Sequence, residues 1–162
     1  MALTQKIGII GVGNMGRALV QGWLRANLIQ PQDLWLADPD PAKTADLSST
    51  TGVRVAGNRE VAATAEVLVL AVKPQILQSV LAEIREVIPL DRLIISIAAG
   101  IPLAIIAEKL PQVRLMRVMP NTPTLIQAGM AAIAPGPTAT AADLELTQLL
   151  FGAVGRTVVI QE

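Results

Sequence analysis

An apolar run followed at once by three spaced glycines constrains the fold of this chain more than any other feature. Ile7–Ile10 carries no polar side chain, which is typical of a strand buried on both faces of a parallel sheet. Gly11, Gly13 and Gly16 then follow with the spacing G-x-G-x-x-G, and a helical pattern begins near Asn14. Such glycines permit a tight turn, the approach of a pyrophosphate to bare backbone, and close packing of helix on strand. A tight turn without a ligand is the alternative, but the position between strand and helix favours a dinucleotide site.

Short apolar runs and helical patterns alternate along most of the chain. The predicted strands cover 7–10, 34–37, 53–56, 67–72, 93–97 and 113–118, and the predicted helices cover 14–27, 41–49, 58–63, 75–87 and 102–109. This alternation predicts a doubly wound parallel sheet with helices on both faces. The length of 162 residues suits one domain.

The alternation stops after residue 118. The stretch 119–129 contains two prolines and no helical period, so no crossover helix leads to the next predicted strand, 130–134. We therefore expect that strand to be antiparallel to its neighbour. A helix over 138–151 and a strand over 155–160 complete the pattern. The prediction is an α/β fold, a Rossmann-like doubly wound and mostly parallel sheet with an added strand–helix–strand at the C-terminal end, forming one dinucleotide-binding domain over 1–162.

Composition excludes several classes of function. Thirteen basic and thirteen acidic residues give a net charge of +0, and aromatic residues make up 2%, so nothing indicates nucleic acid or an anionic membrane as a partner. No apolar run reaches about 18 residues and no signal-peptide pattern is present, so we expect a cytoplasmic protein. The chain has no His, Cys or Tyr. A His/Cys metal site, a Ser-His-Asp triad and a His or Tyr proton donor are therefore impossible within it, and we predict no metal ligand.

The residues that follow the parallel strands are the candidate ligand contacts, because ligands bind beyond the carboxyl ends of such strands. Asp38 lies 22 positions after Gly16, where an acid hydrogen-bonds the adenosine ribose of NAD and would repel the 2′-phosphate of NADP. Alternatively, Asp38 caps the helix that begins at Pro41. Arg59 has the opposite implication, since it could pair with a 2′-phosphate, although it could also be solvated. The choice between NADP(H) and NAD(H) stays open.

Three later strand ends carry further candidates. Lys73, held by Pro74, either binds a substrate carboxylate or stays in solvent. The small residues at 98–100 either let a cofactor ring approach or allow close helix packing. Two prolines frame Asn121, which either presents its amide at the nicotinamide end or belongs to a purely structural turn.

Four motifs together resemble the N-terminal domain of pyrroline-5-carboxylate reductases. They are G-V-G-N-M-G at 11–16, A-V-K-P-Q at 71–75, S-I-A-A-G-I at 96–101 and R-V-M-P-N-T-P at 117–123. The first is shared by many dehydrogenases, whereas the second and fourth are more specific. The resemblance implies NAD(P)H-dependent reduction of 1-pyrroline-5-carboxylate to L-proline, the last step of proline biosynthesis, by hydride transfer to the imine carbon.

The resemblance also implies the positions of the cofactor contacts. They are Ile10, Gly11, Val12, Gly13, Asn14, Met15, Ala37, Asp38, Pro39, Asn58, Ala71, Val72, Lys73, Pro74, Ile97, Ala98 and Ala99. The glycine spacing adds Gly16, and the proline-framed loop adds Asn121. No residue is assigned as catalytic.

Members of this family continue with a helical C-terminal domain that forms the homo-oligomer and supplies much of the substrate pocket. No segment of this chain matches that domain, and an apolar content of 52% fits a domain that lacks such a partner. We expect the isolated chain to bind dinucleotide weakly and to show little or no reductase activity. Two alternatives remain: a dehydrogenase domain of the 6-phosphogluconate or 3-hydroxyacid type, or a non-catalytic nucleotide-binding module.

Overall fold

The computed structural model describes residues 2–162, whose strands form a single eight-stranded sheet. The strands are β1 (Ile7–Ile10), β2 (Leu34–Ala37), β3 (Arg54–Val55), β4 (Val67–Leu70), β5 (Leu93–Ser96), β6 (Arg114–Pro120), β7 (Gly129–Pro135) and β8 (Gly155–Val159). Their spatial order is β3-β2-β1-β4-β5-β6-β7-β8, and every neighbouring pair is parallel except β6 and β7. The predicted Rossmann-like, mostly parallel sheet with an added strand–helix–strand unit is confirmed, and so is the expected antiparallel pairing after β6. Because β8 is parallel to β7, both strands of the added unit run against the other six.

Six α-helices connect the strands of the described chain. They are α1 (Asn14–Arg25), α2 (Pro41–Thr51), α3 (Asn58–Thr64), α4 (Pro74–Ile84), α5 (Leu103–Lys109) and α6 (Ala141–Gly152). Proline opens both α2 and α4, where its missing N–H costs nothing. None of the helices among residues 2–162 combines the length and the apolar character needed to cross a bilayer.

A predicted helix and the stretch after β6 need correction. The helix predicted over 75–87 ends at Ile84, and the chain continues there as turns. The stretch 119–129, predicted to lack helical structure, contains the 3-10 helix Thr122–Ile126. A five-residue 3-10 segment is too short to produce the 3.6-residue periodicity that sequence reading depends on.

Strand β1 occupies the centre of the parallel part of the sheet. It is fully buried and pairs with β2 on one side and β4 on the other. The register sets Ile10 opposite both Ala37 and Leu70, so the three strands end at the same level. One apolar cluster around Trp23 covers the first face of the sheet, and another around Leu81 covers the second. Burial on both faces leaves the carboxyl edge of the sheet as the place where these strand ends meet open space.

An ion pair between the half-buried Arg114 and the buried Asp143 closes the opposite, amino edge of the sheet. Asp143 belongs to a capping box at the start of α6, where it exchanges hydrogen bonds with Thr140. Its Oδ2 also accepts a 2.8 Å hydrogen bond from Nε of Arg114, the first residue of β6. Arg114 in turn donates from Nη1 to the carbonyl oxygen of Asp91. These bonds tie the added C-terminal unit to the parallel sheet.

Candidate functional site

An open cavity of about 640 Å³ lies at the carboxyl edge of the sheet, where β1, β2 and β4 end. Its size falls within the range of ordinary small-molecule sites. Ten of the sequence-predicted contact residues line it. They are Ile10, Gly11, Gly13, Ala37, Asp38, Pro39, Asn58, Ala71, Val72 and Lys73. The structure therefore brings together residues from four loops that are widely separated along the chain.

The three glycines of the loop after β1 have different physical reasons to be glycine. Gly11 has a φ of +102°, and a Cβ there would lie 2.5 Å from the carbonyl oxygen of Ala71. A Cβ on Gly16 would overlap the carbonyl oxygen of Gly11. Gly13 has an ordinary φ of −76°, and a Cβ there would meet no atom within 4 Å. Neither backbone conformation nor packing requires glycine at position 13, and the open space above it leaves room for a ligand to approach the backbone.

The N-terminus of α1 opens beside this bare backbone. Gly13 is the N-cap residue and provides no side chain to accept hydrogen bonds from the first turn. The first N–H groups of a helix lack partners within the helix, and its dipole favours negative charge at this end. α1 is 12 residues long, so the loop and the helix together form a cradle suited to a phosphate group.

Asp38 fixes the glycine loop from the end of β2. Its side chain is only 6% exposed, and its Oδ2 accepts a 2.7 Å hydrogen bond from the N–H of Val12, 26 residues away. Its Oδ1 accepts a 2.9 Å bond from the N–H of Asp40. The alternative in which Asp38 caps α2 is wrong, because Asp40 is the N-cap residue and accepts from the N–H of Ala42.

Charged side chains around the cavity are mixed in sign. Lys43 Nζ lies 3.9 Å from Asp38 Oδ1, and Lys73 is exposed at the start of α4. Glu83, on α4, also lines the cavity. The lining therefore carries two ammonium groups and two carboxylates. Among residues 2–162, no three potential metal-ligating side chains cluster anywhere.

The Arg59 side chain is half exposed and is hydrogen-bonded to α4. Its Nη1 donates to the carbonyl oxygen of Glu83 at 2.9 Å and lies 3.7 Å from the carboxylate of Glu86. Arg59 is also outside the cavity lining. The neighbouring Asn58 does line the cavity, with its Nδ2 donating to Glu83 Oε2 at 2.8 Å. The sequence offered Arg59 as a phosphate partner, but the fold uses it to join α3 to α4.

The strand predicted over 67–72 is shorter than expected, and the difference concerns the site. β4 ends at Leu70, so Ala71 and Val72 belong to the loop rather than to the strand. Ala71 donates its N–H to the carbonyl oxygen of Ile10 at 2.8 Å. This bond holds the loop after β4 directly against the glycine loop, and both loops present backbone to the cavity.

The other predicted contact residues lie at the same edge but outside the cavity lining. Val12, Asn14, Met15 and Gly16 belong to the glycine loop and the first turn of α1, and Pro74 opens α4. Ile97, Ala98 and Ala99 follow β5, and Asn121 follows β6. Asn121 Oδ1 accepts a 2.8 Å hydrogen bond from the N–H of Met130, which ties its loop to β7. The contacts predicted for these residues stay predictions.

Seven lining residues were not predicted from the sequence. They are Lys43, Ala56, Gly57, Ile76, Ser79, Val80 and Glu83. The last four recur at i, i+3, i+4 and i+7, which places them on one face of α4. That spacing was available in the sequence. These four residues, however, are a mixture of apolar, hydroxyl and charged side chains, and such a mixture does not distinguish a cavity wall from a solvent-exposed helix face.

Comparison with known proteins gives a consistent family resemblance. Residues 6–100 match the family described as NADP oxidoreductase, coenzyme F420-dependent. The pyrroline-5-carboxylate reductase of Methanosarcina acetivorans is 40% identical over 160 residues, which cover 98% of this chain and 59% of that protein. The chain thus spans about 60% of the length of the curated relatives it matches.

Solved structures agree with the sequence relatives. A pyrroline-5-carboxylate reductase from Coxiella burnetii has a TM-score of 0.94 and 29% identity, covering 99% of this chain and 60% of that one. The Plasmodium falciparum pyrroline carboxylate reductase with NADP bound has a TM-score of 0.88 and 29% identity, covering 100% of this chain and 60% of that one. These matches confirm the resemblance inferred from the four sequence motifs.

Proposed function

This chain belongs to the family described as NADP oxidoreductase, coenzyme F420-dependent, and from that membership we propose that it is the dinucleotide-binding part of a pyrroline-5-carboxylate reductase. In this proposal the protein reduces 1-pyrroline-5-carboxylate to L-proline with NAD(P)H. Two observations support it: the 40% identity to a reductase of that name and the specific motifs around Lys73 and Asn121.

The observation that carries the proposal is the bare backbone at Gly13. The open space there, the uncapped start of α1 and the cavity beside them fit a pyrophosphate and the groups attached to it. We place the pyrophosphate against Gly11 and Gly13, and the adenosine ribose beside Asp38 and Asn58. A nicotinamide cofactor, when bound, supplies the hydride.

The residues of this chain act in the proposal by holding and orienting the cofactor. We place the nicotinamide end beside Ala98, Ala99 and Asn121, beyond β5 and β6 at the same edge of the sheet. The chain has no His, Cys or Tyr, and we assign it no catalytic acid. The helical C-terminal domain of the family would supply the rest of the substrate pocket and the homo-oligomer contact.

The proposed partners are small molecules. Zero net charge and the absence of a basic run support this choice over nucleic acid or an anionic membrane. We also place the protein in the cytoplasm, where proline biosynthesis would be supplied with reduced cofactor.

Turnover by the gene product that contains this chain tests the proposed reaction. Supplied with 1-pyrroline-5-carboxylate and NADH or NADPH, that protein should form L-proline in an amount equal to the cofactor oxidised. As a control for the related dehydrogenases, 6-phosphogluconate and 3-hydroxyacids with NAD⁺ or NADP⁺ should give no reduced cofactor. Turnover of these hydroxy substrates without proline formation would contradict the assignment.

A further inference from the structure

We infer that Asp38 makes this chain select NAD(H) over NADP(H), an inference that rests on the proposed function. The family description names NADP, and a similar reductase structure contains NADP. In this property the chain would differ from what its family name suggests, because of the position of one carboxylate and the charges that surround it.

The position of Asp38 is fixed by the sheet. β2 ends at Ala37, which is paired with Ile10 at the end of β1, so the next residue lies beside the glycine loop. The hydrogen bond from the Val12 N–H holds the carboxylate in that place. An acid at the end of the second strand of this fold contacts the 2′-hydroxyl of the adenosine ribose. Asp38 lines the cavity, so we place that hydroxyl beside its carboxylate.

The hydrogen-bonding capacity of the carboxylate favours a hydroxyl over a phosphate. An ionised carboxylate has about four acceptor sites and no donor. The N–H groups of Val12 and Asp40 use one site on each oxygen, so each oxygen can accept one more bond. Ribose hydroxyls can donate such bonds. A 2′-phosphate offers only acceptors and negative charge, so it would meet Asp38 with repulsion and no compensating hydrogen bond.

The positive charges near this position do not offset that repulsion. Lys43, 3.9 Å from Asp38 Oδ1, already faces the carboxylate and is 48% exposed. Arg59 is held against α4, and Arg54 stacks over the ring of Trp35, with its Cζ 5.1 Å from the ring centroid. No arginine among residues 2–162 lines the cavity, and Glu83 adds a second carboxylate to it. Arginine is the side chain best suited to bidentate phosphate binding, and the two lysines of the lining, Lys43 and Lys73, offer only point charges that two carboxylates in the same lining offset.

Calorimetric titration of the 162-residue chain with NADH and with NADPH tests the inference without any measurement of activity. We expect NADH to bind at least about tenfold more tightly, with NADPH weaker because one phosphate opposes one carboxylate. This comparison in the unaltered chain needs no variant, so it holds even if a substitution at Asp38 disturbs folding.

Asp38→Asn sharpens the test, because asparagine can still accept from the Val12 N–H but carries no charge. The ratio of the NADPH and NADH dissociation constants should fall by about tenfold. Asp40→Asn is the matched control. It removes a carboxylate two residues away while keeping an efficient helix cap, and it should leave the ratio within about twofold of the original.

Each outcome has a distinct meaning. Tighter binding of NADPH by the unaltered chain would overturn the selection and leave the proposed reductase function standing. An equal change of the ratio in Asp38→Asn and Asp40→Asn would also overturn it, because general charge would then explain the effect. If the folded chain binds neither cofactor, the proposed function fails and the inference fails with it.

Discussion

Two aspartates at opposite edges of the same sheet show how differently one fold can use a buried carboxylate. Asp38 lies at the carboxyl edge and Asp143 at the amino edge, and the side chain of each is 6% exposed. Asp143 receives hydrogen bonds of 2.8 Å from the guanidinium of Arg114 and from both the N–H and the hydroxyl of Thr140. Asp38 accepts hydrogen bonds from two backbone N–H groups, and Lys43 Nζ lies 3.9 Å from its Oδ1.

This difference in hydrogen bonding indicates which of the two carboxylates is available to a ligand. A buried charge is costly unless it is paired and hydrogen-bonded. Arg114 and Thr140 supply the charge and the hydrogen bonds that stabilise the Asp143 carboxylate, so Asp143 joins β6 to α6. Asp38 keeps acceptor capacity on both oxygens and borders an open cavity. Asp143 is therefore expected to matter for stability, and Asp38 for binding.

Removing the structural aspartate should have the largest effect on stability. Asp143→Ala abolishes the capping box and leaves Arg114 without its carboxylate, which should lower the free energy of unfolding by about 2–4 kcal/mol in urea denaturation. Asp40→Ala, which removes only an exposed helix cap, should cost about 1 kcal/mol. Dinucleotide affinity should be unchanged in Asp143→Ala, since the site lies at the other edge. A loss no greater than that of Asp40→Ala would break the contrast between the two aspartates.

A smaller effect should appear in the pH dependence of stability. Burial alone would raise the pKa of Asp143, but the hydrogen bonds from Arg114 and Thr140 and the charge of Arg114 outweigh it, so the pKa is lowered. A carboxyl group whose pKa is lowered on folding stabilises the protein above its unfolded value, about 3.9, and loses this contribution as the pH falls through its folded value.

The free-energy difference between the unaltered chain and Asp143→Asn should therefore be constant from about pH 7 to pH 5 and shrink below about pH 4. Urea denaturation of both proteins at several pH values measures it. A difference that grows on acidification would mean that burial dominates the pKa of Asp143 and that its pairing is weaker than the geometry indicates.

The comparison also shows what could be read from the sequence. The strand Ile7–Ile10, the positive φ of Gly11 and the contact of Gly16 with the Gly11 carbonyl oxygen are local features, and the fold class followed from the alternation of strands and helices. The sequence also located Asp38 correctly at the end of a strand. It did not show that Asp38 holds the glycine loop while Asp40, directly before Pro41, caps the helix.

The missing information in such cases is tertiary. The hydrogen bond that the Val12 N–H donates to Asp38 Oδ2 spans 26 residues and exists only because β1 and β2 are adjacent. Ile76 and Glu83 line the cavity only because of the orientation of α4 about its own axis, which is set by its packing against the sheet. Arg59 was open to two interpretations for the same reason, since the carbonyl oxygen it binds belongs to another helix.

We propose that the loop after β1 holds the diphosphate of a dinucleotide, and calorimetry on two valine variants measures whether it does. A Cβ at Gly13 and a Cβ at Gly152 both meet no atom within 4 Å, but only Gly13 borders the cavity. We predict that Gly13→Val weakens NADH binding at least about tenfold with little change in melting temperature, while Gly152→Val binds as the unaltered chain does. Undiminished affinity in a folded Gly13→Val chain, or no binding of either reduced cofactor to the unaltered chain at millimolar concentration, would contradict the account.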